Sequence, residues 1–149
     1  YLGEKESAEK IEEQYILETN IDDMNPEIYG YVEEKLFEAG DLDVFKTPIY
    51  MKKGRPAYQL TVMCGADTER QAIEIIFKNT TAAGVRRRES ERIIMNKAPC
   101  TVNTPYGPVK ANKYIYEDIS KITLEYEDAR RLADEKNIGI AQIYNSYSE

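Results

Sequence analysis

The stretch Glu18–Glu27 constrains the fold most, because it predicts a strand, a turn and a helix in immediate succession. Residues 15–21 are typical of a strand. Pro26 suits the first position of a helix, where its missing N–H would have no partner, and Asn25 before it is a natural cap. We therefore predict a strand over Tyr15–Ile21 and a helix from Pro26 to about Ala39, joined by an acidic loop.

The rest of the chain predicts four further elements, in the order strand, strand, helix, strand. They cover residues 42–51, 58–64, 67–80 and 85–95. The resulting order β-α-β-β-α-β is the ferredoxin-like split βαβ pattern. We therefore predict an α+β fold with a ferredoxin-like core and an appendix. The appendix is a β-hairpin over Thr101–Lys113, a short strand near Ile119–Leu124, and C-terminal helices from about Glu125 to Lys136 and from Ile140 to Tyr144.

The same periodicity predicts which side chains are buried. Apolar residues recur every three or four positions along one face of a helix and every second position along a strand. The predicted buried helical residues are Ile28, Val32 and Leu36 in the first helix, and Ile73, Ile76 and Phe77 in the second, which Asp67 caps. On the strand over residues 58–64, the inward residues are Tyr58, Leu60, Val62 and Cys64.

Length and composition limit the class of protein. The 149 residues suit one domain, with a Glu/Lys-rich flexible linker over residues 1–14 and the domain over residues 15–149. Without an initiator Met or a long apolar run, we expect a piece of a longer cytoplasmic protein with no membrane segment. The net charge of −7 opposes general binding to nucleic acids or acidic membranes. The absence of His removes the commonest transition-metal ligand and general base.

An acidic group surrounds the first predicted loop. Glu18, Asn20 and Asp22 share one face of the strand, and Asp23 follows in the loop. Converging oxygen ligands are what a hard divalent cation requires, so these four residues are the predicted metal ligands. The alternative is a solvated turn with helix caps, which composition alone favours.

Two basic segments predict anion binding. Lys52-Lys53-Gly54-Arg55 forms a turn in which Gly54 lets a ligand approach the backbone, although the spacing is not that of a phosphate loop. On the strand over residues 85–95, Arg86, Arg88 and Arg92 share a face that carries no acid of its own. A phosphate chain or a partner's carboxylates would balance that face. An exposed or oligomer-facing edge is the alternative.

A second charged cluster lies at Glu125–Arg131, where a helix is predicted to start. Pairs such as Glu127–Arg131, together with acids placed favourably at the helix N-terminus, explain it without a ligand. We rank this cluster below the acidic loop as a functional site.

These motifs, in this order, resemble the C-terminal domain of the LarC-type nickel insertases, the nickel-pincer cofactor insertion proteins. The resemblance covers about residues 15–145. It is carried by Leu17–Glu27, Glu38–Phe45, Thr47–Pro56, Leu60–Cys64, Ile75–Phe77, Gly84–Arg88, Thr104–Gly107 and Glu125–Ala133.

The resemblance implies a specific activity for the full-length protein. Such enzymes, cyclometallases of the lyase class, insert Ni²⁺ into pyridinium-3,5-bisthiocarboxylic acid mononucleotide to make the cofactor of lactate racemase. The process uses CTP with Mn²⁺ or Mg²⁺ and passes through a cytidinylylated intermediate. The C-terminal domain binds the nucleotide, so nickel handling is expected mainly in an N-terminal domain of the same protein.

Under this hypothesis the charged residues take defined roles. Asp22 and Asp23 would hold the divalent ion, with Glu18 and Asn20 as further oxygen groups. The triphosphate would be neutralised by Lys52, Lys53 and Arg55 around Gly54, and by Arg86 and Arg88 from the sheet. Asp22, Asp23, Lys53 and Arg55 would be the catalytic residues. Nucleotidyl transfer gains most from positioning and charge stabilisation, so it needs no His base.

Two other classes of function remain open. Ferredoxin-like sheets often bind small ligands or pair with copies of themselves, so a non-catalytic ligand-binding or oligomerisation domain is the main alternative, and a homo-oligomer is expected in either case. Nucleic-acid binding through the Arg-rich strand is the other, and the net charge and the acidic loop oppose it.

Overall fold

The computed structural model describes residues 10–40 and 43–147, which fall into two units with separate hydrophobic cores. Glu12–Arg92 forms the first unit. The second contains the described residues of Tyr1–Ile11 and of Ile93–Glu149. The sequence indicated one domain, so this division is a finding of the structure.

The first unit is a four-stranded sheet with two helices. The sheet order is β2-β3-β1-β4, and β3 pairs antiparallel with both β1 and β2. The predicted mixture of helices and strands is confirmed, and the strand pairs β1–β3 and β2–β3 are antiparallel. The elements are β1 (Lys10–Ile21), α1 (Glu27–Ala39), β2 (Asp43–Met51), a 3₁₀ turn (Lys52–Gly54), β3 (Arg55–Cys64), α2 (Glu69–Asn79) and β4 (Arg86–Ile94).

Strand β1 separates an apolar face from a polar one. Leu17, Thr19 and Ile21 are buried, whereas Glu18 and Asn20 between them are only partly buried. This alternation follows from the period of two along a strand. The apolar face of the sheet meets the helices in a core that contains Leu17, Val32, Leu36, Leu60, Val62, Cys64, Ala72 and Ile76.

Helix α1 starts at Glu27, with Pro26 at its N-cap, one residue later than the sequence predicts. The side-chain Oδ1 of Asn25 accepts a hydrogen bond from the backbone N–H of Glu27 at 3.0 Å. Such a bond satisfies one of the N–H groups that the first turn leaves without an intrahelical partner. The helix buries Val32 and Leu36 as predicted, with Ile28 partly buried beside them, and it also buries Tyr29.

Helix α2 differs from its prediction in two ways. The residue at its N-cap is Thr68 rather than Asp67, which is exposed. Phe77 is 46% exposed, whereas Ala72 is fully buried. The buried face of the helix is centred on Ala72 and Ile76. Phe77 follows Ile76 directly, so its side chain points about 100° away from that of Ile76 around the helix axis and is partly exposed.

The predicted boundaries need two further corrections. Strand β1 begins at Lys10, so residues 10–14 belong to the sheet and not to a linker. The remainder of the predicted linker, residues 1–9, lies outside the described residues, as does Leu42 at the start of the second predicted strand.

The second unit has a three-stranded antiparallel sheet in the order β5-β6-β7. Its elements are β5 (Asn96–Thr104), β6 (Gly107–Tyr116), β7 (Ile119–Leu124), α3 (Tyr126–Lys136) and α4 (Ile140–Tyr144). The predicted hairpin is therefore longer than Thr101–Lys113. With β7 and the helices it encloses a core that includes Val109, Leu132 and Ile143. Among the described helices, none is long and apolar enough to cross a membrane.

Candidate functional site

An open cleft of about 570 Å³ lies where β1 ends. One wall consists of the polar end of β1 and the loop that follows it, with Glu18, Asn20, Asp22 and Asp23. Residues 81–86, which connect α2 to β4 and include Arg86, form another part of the wall. The structure thus brings all four predicted metal ligands and one predicted phosphate ligand to one cleft.

Two hydrogen bonds connect these parts of the wall. The hydroxyl of Thr19, which is only 5% exposed, donates to the backbone oxygen of Gly84 at 2.8 Å. The hydroxyl of Thr81 donates to Oδ1 of Asp23 at 2.5 Å. These two bonds connect β1 and its loop to residues 81–84, so the shape of the cleft does not depend on a bound ligand.

The basic turn reaches the acidic loop through one residue. Nη1 of Arg55 lies 3.1 Å from Oδ2 of Asp22. Lys53 and Gly54 have φ values of 63° and 68°, the left-handed conformation that glycine adopts without cost and lysine rarely adopts. Lys52, Lys53 and Gly54 are exposed and do not belong to the described lining of the cleft, although Met51 just before them does.

Glu18 is bound by an arginine of the neighbouring strand. Nη1 and Nη2 of Arg88 lie 3.0 and 3.3 Å from the two carboxylate oxygens of Glu18. This contact lowers the pKa of Glu18, chiefly through the hydrogen bond from Arg88, and raises the pKa of Arg88. Both carboxylate oxygens of Glu18 are therefore already occupied.

Acids of the same protein, and not a phosphate chain or a partner, pair with two of the three arginines on this face of β4. Glu18 pairs with Arg88, and Glu12 lies 3.9 Å from Arg92, both from β1. The sheet order places β1 beside β4, so the acids come from the adjacent strand. On the opposite face, Arg87 pairs with Glu69 of α2.

The cleft fits a divalent ion that is already bound to phosphate better than a fully protein-ligated ion. The described part of the chain contains no group of three or more His, Cys, Asp or Glu side chains that could hold a metal. The cleft does offer the carboxylate, amide and hydroxyl oxygens that Mg²⁺ and Mn²⁺ accept. An ion that bridges phosphates usually needs only one or two protein carboxylates.

Several cleft residues were not predicted from the sequence. Thr19, Thr81 and the run Ala82–Gly84 were not assigned to a site, although they line the cleft. A run of small residues between a helix and a strand is the signal that could have indicated them, because such residues let a ligand approach the backbone closely.

The charged cluster at Glu125–Arg131 belongs to the second unit and makes structural contacts. Arg131 bonds Asp128 and Glu135, each at 2.9 Å, rather than the expected Glu127. Oδ2 of Asp128 accepts the backbone N–H of Lys110 at 2.6 Å, which ties α3 to β6. These bonds support the ranking of this cluster below the cleft.

Comparison with known proteins indicates one family. The family model described as "Nickel insertion protein" matches residues 1–144. The pyridinium-3,5-bisthiocarboxylic acid mononucleotide nickel insertion protein of Clostridium kluyveri is 53% identical over 145 residues, which are 97% of this chain and 36% of that protein. The protein of the same name from Clostridium acetobutylicum is 52% identical over 147 residues, covering 98% of this chain and 35% of that protein.

A solved structure shows the same architecture. It is LarC2, the apo form of the C-terminal domain of a cyclometallase involved in the synthesis of the NPN cofactor of lactate racemase. The TM-score is 0.82 at 39% sequence identity, over 92% of this chain and 95% of that one. The chain therefore spans little more than a third of its curated relatives but nearly all of this solved domain.

Proposed function

Since the chain belongs to the nickel insertion protein family, we propose that it is the domain that binds CTP with Mn²⁺ or Mg²⁺ in a nickel-inserting enzyme. The full-length enzyme would act on pyridinium-3,5-bisthiocarboxylic acid mononucleotide and activate it by transfer of a cytidinylyl group from CTP, which breaks the bond between the α- and β-phosphates and releases pyrophosphate. Ni²⁺ would be the metal that it inserts. The names of the relatives support this substrate and this cargo.

One observation carries the proposal: a single cleft combines the carboxylates of Asp22 and Asp23, each with one oxygen in a contact to the protein, with an arginine. Asp22 and Asp23 lie in the cleft wall, and Arg86 lies in the same lining. Arg55 is in contact with Asp22, so the basic turn borders the same loop. A triphosphate with its divalent ion needs both kinds of charge side by side.

Acidic and basic residues would have different roles in binding the ion and the nucleotide. Asp22 and Asp23 would hold the ion, because Glu18 gives both of its oxygens to Arg88. Arg55 and Arg86 would neutralise phosphate oxygens, with Lys52 and Lys53 close by in sequence. When bound, the divalent ion would stabilise the negative charge that develops on the phosphate oxygens of CTP during cytidinylyl transfer.

Nickel delivery would lie elsewhere in the full-length enzyme, in an N-terminal domain that partners this one. The chain contains no His. Of its two cysteines, Cys64 is 2% exposed, and burial raises the pKa of its thiol, which disfavours the thiolate that a metal requires.

The element order and the sheet order β2-β3-β1-β4 support a ferredoxin-like topology for the first unit. We also propose a homo-oligomer in the cytoplasm; exposed aromatic residues such as Phe37 and Phe45 support an association surface.

Calorimetric titration of the chain with CTP, with and without Mn²⁺, tests the proposal. We expect binding that requires Mn²⁺ and that is weaker for ATP. Folded chain that binds neither nucleotide would refute the proposal and favour the alternative, a non-catalytic oligomerisation domain. Binding of CTP that is indifferent to Mn²⁺ would remove the acidic loop from the mechanism.

The substitution Asp23→Asn tests the ion site itself. Asn retains an oxygen that accepts the hydrogen bond from Thr81 but loses the charge, so the fold should persist. Mn²⁺-dependent CTP binding should weaken by at least about tenfold, since an ion on phosphate relies on one or two carboxylates. Glu34→Gln, at an exposed position of α1, is the matched control and should bind CTP as the unaltered chain does.

A further inference from the structure

The contact between Arg55 and Asp22 joins two side chains that bind opposite partners under the proposed function. Nη1 of Arg55 lies 3.1 Å from Oδ2 of Asp22, and the two side chains are 56% and 22% exposed. We propose that Arg55 makes the cleft select a divalent ion that arrives on a nucleotide over the same ion alone. Arg55 pairs with Asp22 when no ion or nucleotide is bound, and it transfers to a phosphate oxygen when the ion–nucleotide complex binds. The inference rests on the proposed function and specifies which form of the ion that site accepts.

The carboxylates of the cleft leave few oxygens for an ion without a nucleotide. Both oxygens of Glu18 accept hydrogen bonds from Arg88, at 3.0 and 3.3 Å. Oδ2 of Asp22 accepts Arg55, and Oδ1 of Asp23 accepts a hydroxyl. Within the described part of the chain, this leaves one oxygen each of Asp22 and Asp23 without a hydrogen bond. A hydrated Mg²⁺ ion gives up its water reluctantly, so two such oxygens hold it weakly unless phosphates supply further ligands.

The charge of Arg55 acts against an ion alone at Asp22. Like charges a few ångströms apart repel each other, and for exposed groups water and salt reduce this repulsion without removing it. For a divalent ion beside one guanidinium, we expect a loss of about threefold to tenfold in affinity. A triphosphate reverses the balance, because its oxygens carry more negative charge than one divalent ion neutralises and a guanidinium binds them bidentately.

The side chain of Arg55 can exchange partners while its backbone stays in place. The backbone N–H of Arg55 donates to the carbonyl oxygen of Lys52, and the residue is paired with β2 in the sheet. Its guanidinium makes one hydrogen bond to Asp22, whereas that of Arg88 makes two to Glu18. A single hydrogen bond between exposed side chains is weaker than a bidentate pair. Arg55 is therefore the better suited of these two arginines to leave its carboxylate for a phosphate.

Binding of Mn²⁺ to the full chain without a nucleotide tests the inference, with the unbound ion followed by electron paramagnetic resonance. Arg55→Gln should bind Mn²⁺ about threefold to tenfold more tightly than the unaltered chain, because the repulsion is removed. The same variant should bind CTP–Mn²⁺ about tenfold more weakly in calorimetry, because a charge-assisted contact to phosphate is lost. The two affinities thus change in opposite directions.

Two control variants separate this effect from a general loss of positive charge. Arg55→Lys keeps the charge and should keep the Mn²⁺ affinity of the unaltered chain. Arg70→Gln, at an exposed arginine of α2 that pairs with Glu74 outside the described lining of the cleft, should change neither affinity. Unchanged or weaker Mn²⁺ binding by Arg55→Gln would overturn the inference and show that Arg55 orients Asp22 for the ion.

A double-mutant cycle with Asp22→Asn tests whether the effect acts through this carboxylate. Arg55→Gln should increase Mn²⁺ affinity in the unaltered chain and have little effect in Asp22→Asn, where the contested charge is absent. An equal gain in both backgrounds would overturn the proposed exchange at Asp22.

The inference and the proposed function can fail separately. Weaker CTP–Mn²⁺ binding by Arg55→Gln, with Mn²⁺ binding alone unchanged, would support the proposed function and overturn the inference. Tighter Mn²⁺ binding by Arg55→Gln in a chain that binds no CTP would uphold the competition at Asp22 and refute only the CTP assignment.

Discussion

Gly84 is a glycine that the fold itself does not require. Its backbone lies outside the left-handed region, unlike that of Gly54, and a Cβ at this position would meet no atom within 4 Å. Its carbonyl oxygen accepts the Thr19 hydroxyl, and the residue lines the cleft. Under the proposed function, the missing side chain would let a ligand in the cleft approach the backbone closely.

Gly84→Ala should consequently separate binding from stability. We expect the Tm to stay the same or rise slightly, because alanine reduces the entropy of the unfolded chain. CTP–Mn²⁺ binding should weaken by about tenfold, since an added methyl in a close contact costs roughly 1–3 kcal/mol. Calorimetry and thermal unfolding measure the two effects.

The control for this substitution is Gly30→Ala on α1, where a Cβ would also meet open space. Within a helix this change should stabilise the fold by about 0.5–1 kcal/mol and leave CTP binding unchanged. If Gly84→Ala bound CTP as well as Gly30→Ala does, ligands would not approach the backbone at residue 84.

Among the elements, β1 and α1 show what a sequence can and cannot predict about this cleft. The period of two along β1 correctly placed Glu18 and Asn20 on one face. The N-cap of α1 is Pro26 and not the predicted Asn25, but Asn25 does accept a hydrogen bond from the first turn. Both features depend on neighbours in the chain. The partners of the acids could not be predicted in this way. Arg88 is 70 residues from Glu18 along the chain, and only the order of strands brings them together.

The error at Phe77 has a related cause. Apolar periodicity gives the angular width of the buried stripe of α2 but not the rotation of the helix against the sheet. Ala72 and Ile76 take the centre of the stripe, which leaves Phe77 half exposed. A large residue beside a stripe of small and branched ones is thus ambiguous in the sequence.

Helix α3 shows how one acid contributes to stability in a pH-dependent way. The pKa of Asp128 lies below its ordinary value, because Arg131 donates a hydrogen bond to it and the backbone N–H of Lys110 donates another. A carboxyl with a lower pKa in the folded chain stabilises the fold when ionised. That contribution is complete above the unfolded-state pKa, about 3.9 for Asp, and disappears as the pH falls through the lower folded-state value.

Asp128→Asn should therefore lower the Tm at pH 7, and the difference from the unaltered chain should narrow below about pH 4. Thermal unfolding followed by circular dichroism between pH 7 and pH 3 measures this. Asp134→Asn, at an exposed position of the same helix, is the control. A difference that stays constant across this range would show that ionisation of Asp128 does not contribute to stability.

At the scale of the whole molecule, the two cores are the feature that the sequence did not indicate. The strands and helices after residue 95 were correctly predicted in order, yet they were interpreted as an appendix. Periodicity identifies which side chains are buried but not which others they pack against. Here Val109, Leu132 and Ile143 pack with one another in a core distinct from that of Leu36 and Ile76.

Two separate cores predict two cooperative units of unfolding. Ile143 is fully buried in the second core, so Ile143→Ala should cost about 2–5 kcal/mol through lost contacts and a cavity. Amide hydrogen exchange should accelerate mainly within residues 93–147, because local opening follows contiguous packed units. Ile76→Ala, in the first core, should produce the complementary pattern within residues 12–92. If amide exchange instead accelerated uniformly along the chain in both variants, the two cores would unfold as one cooperative unit. A ligand bound in the cleft would then stabilise the second unit as much as the first.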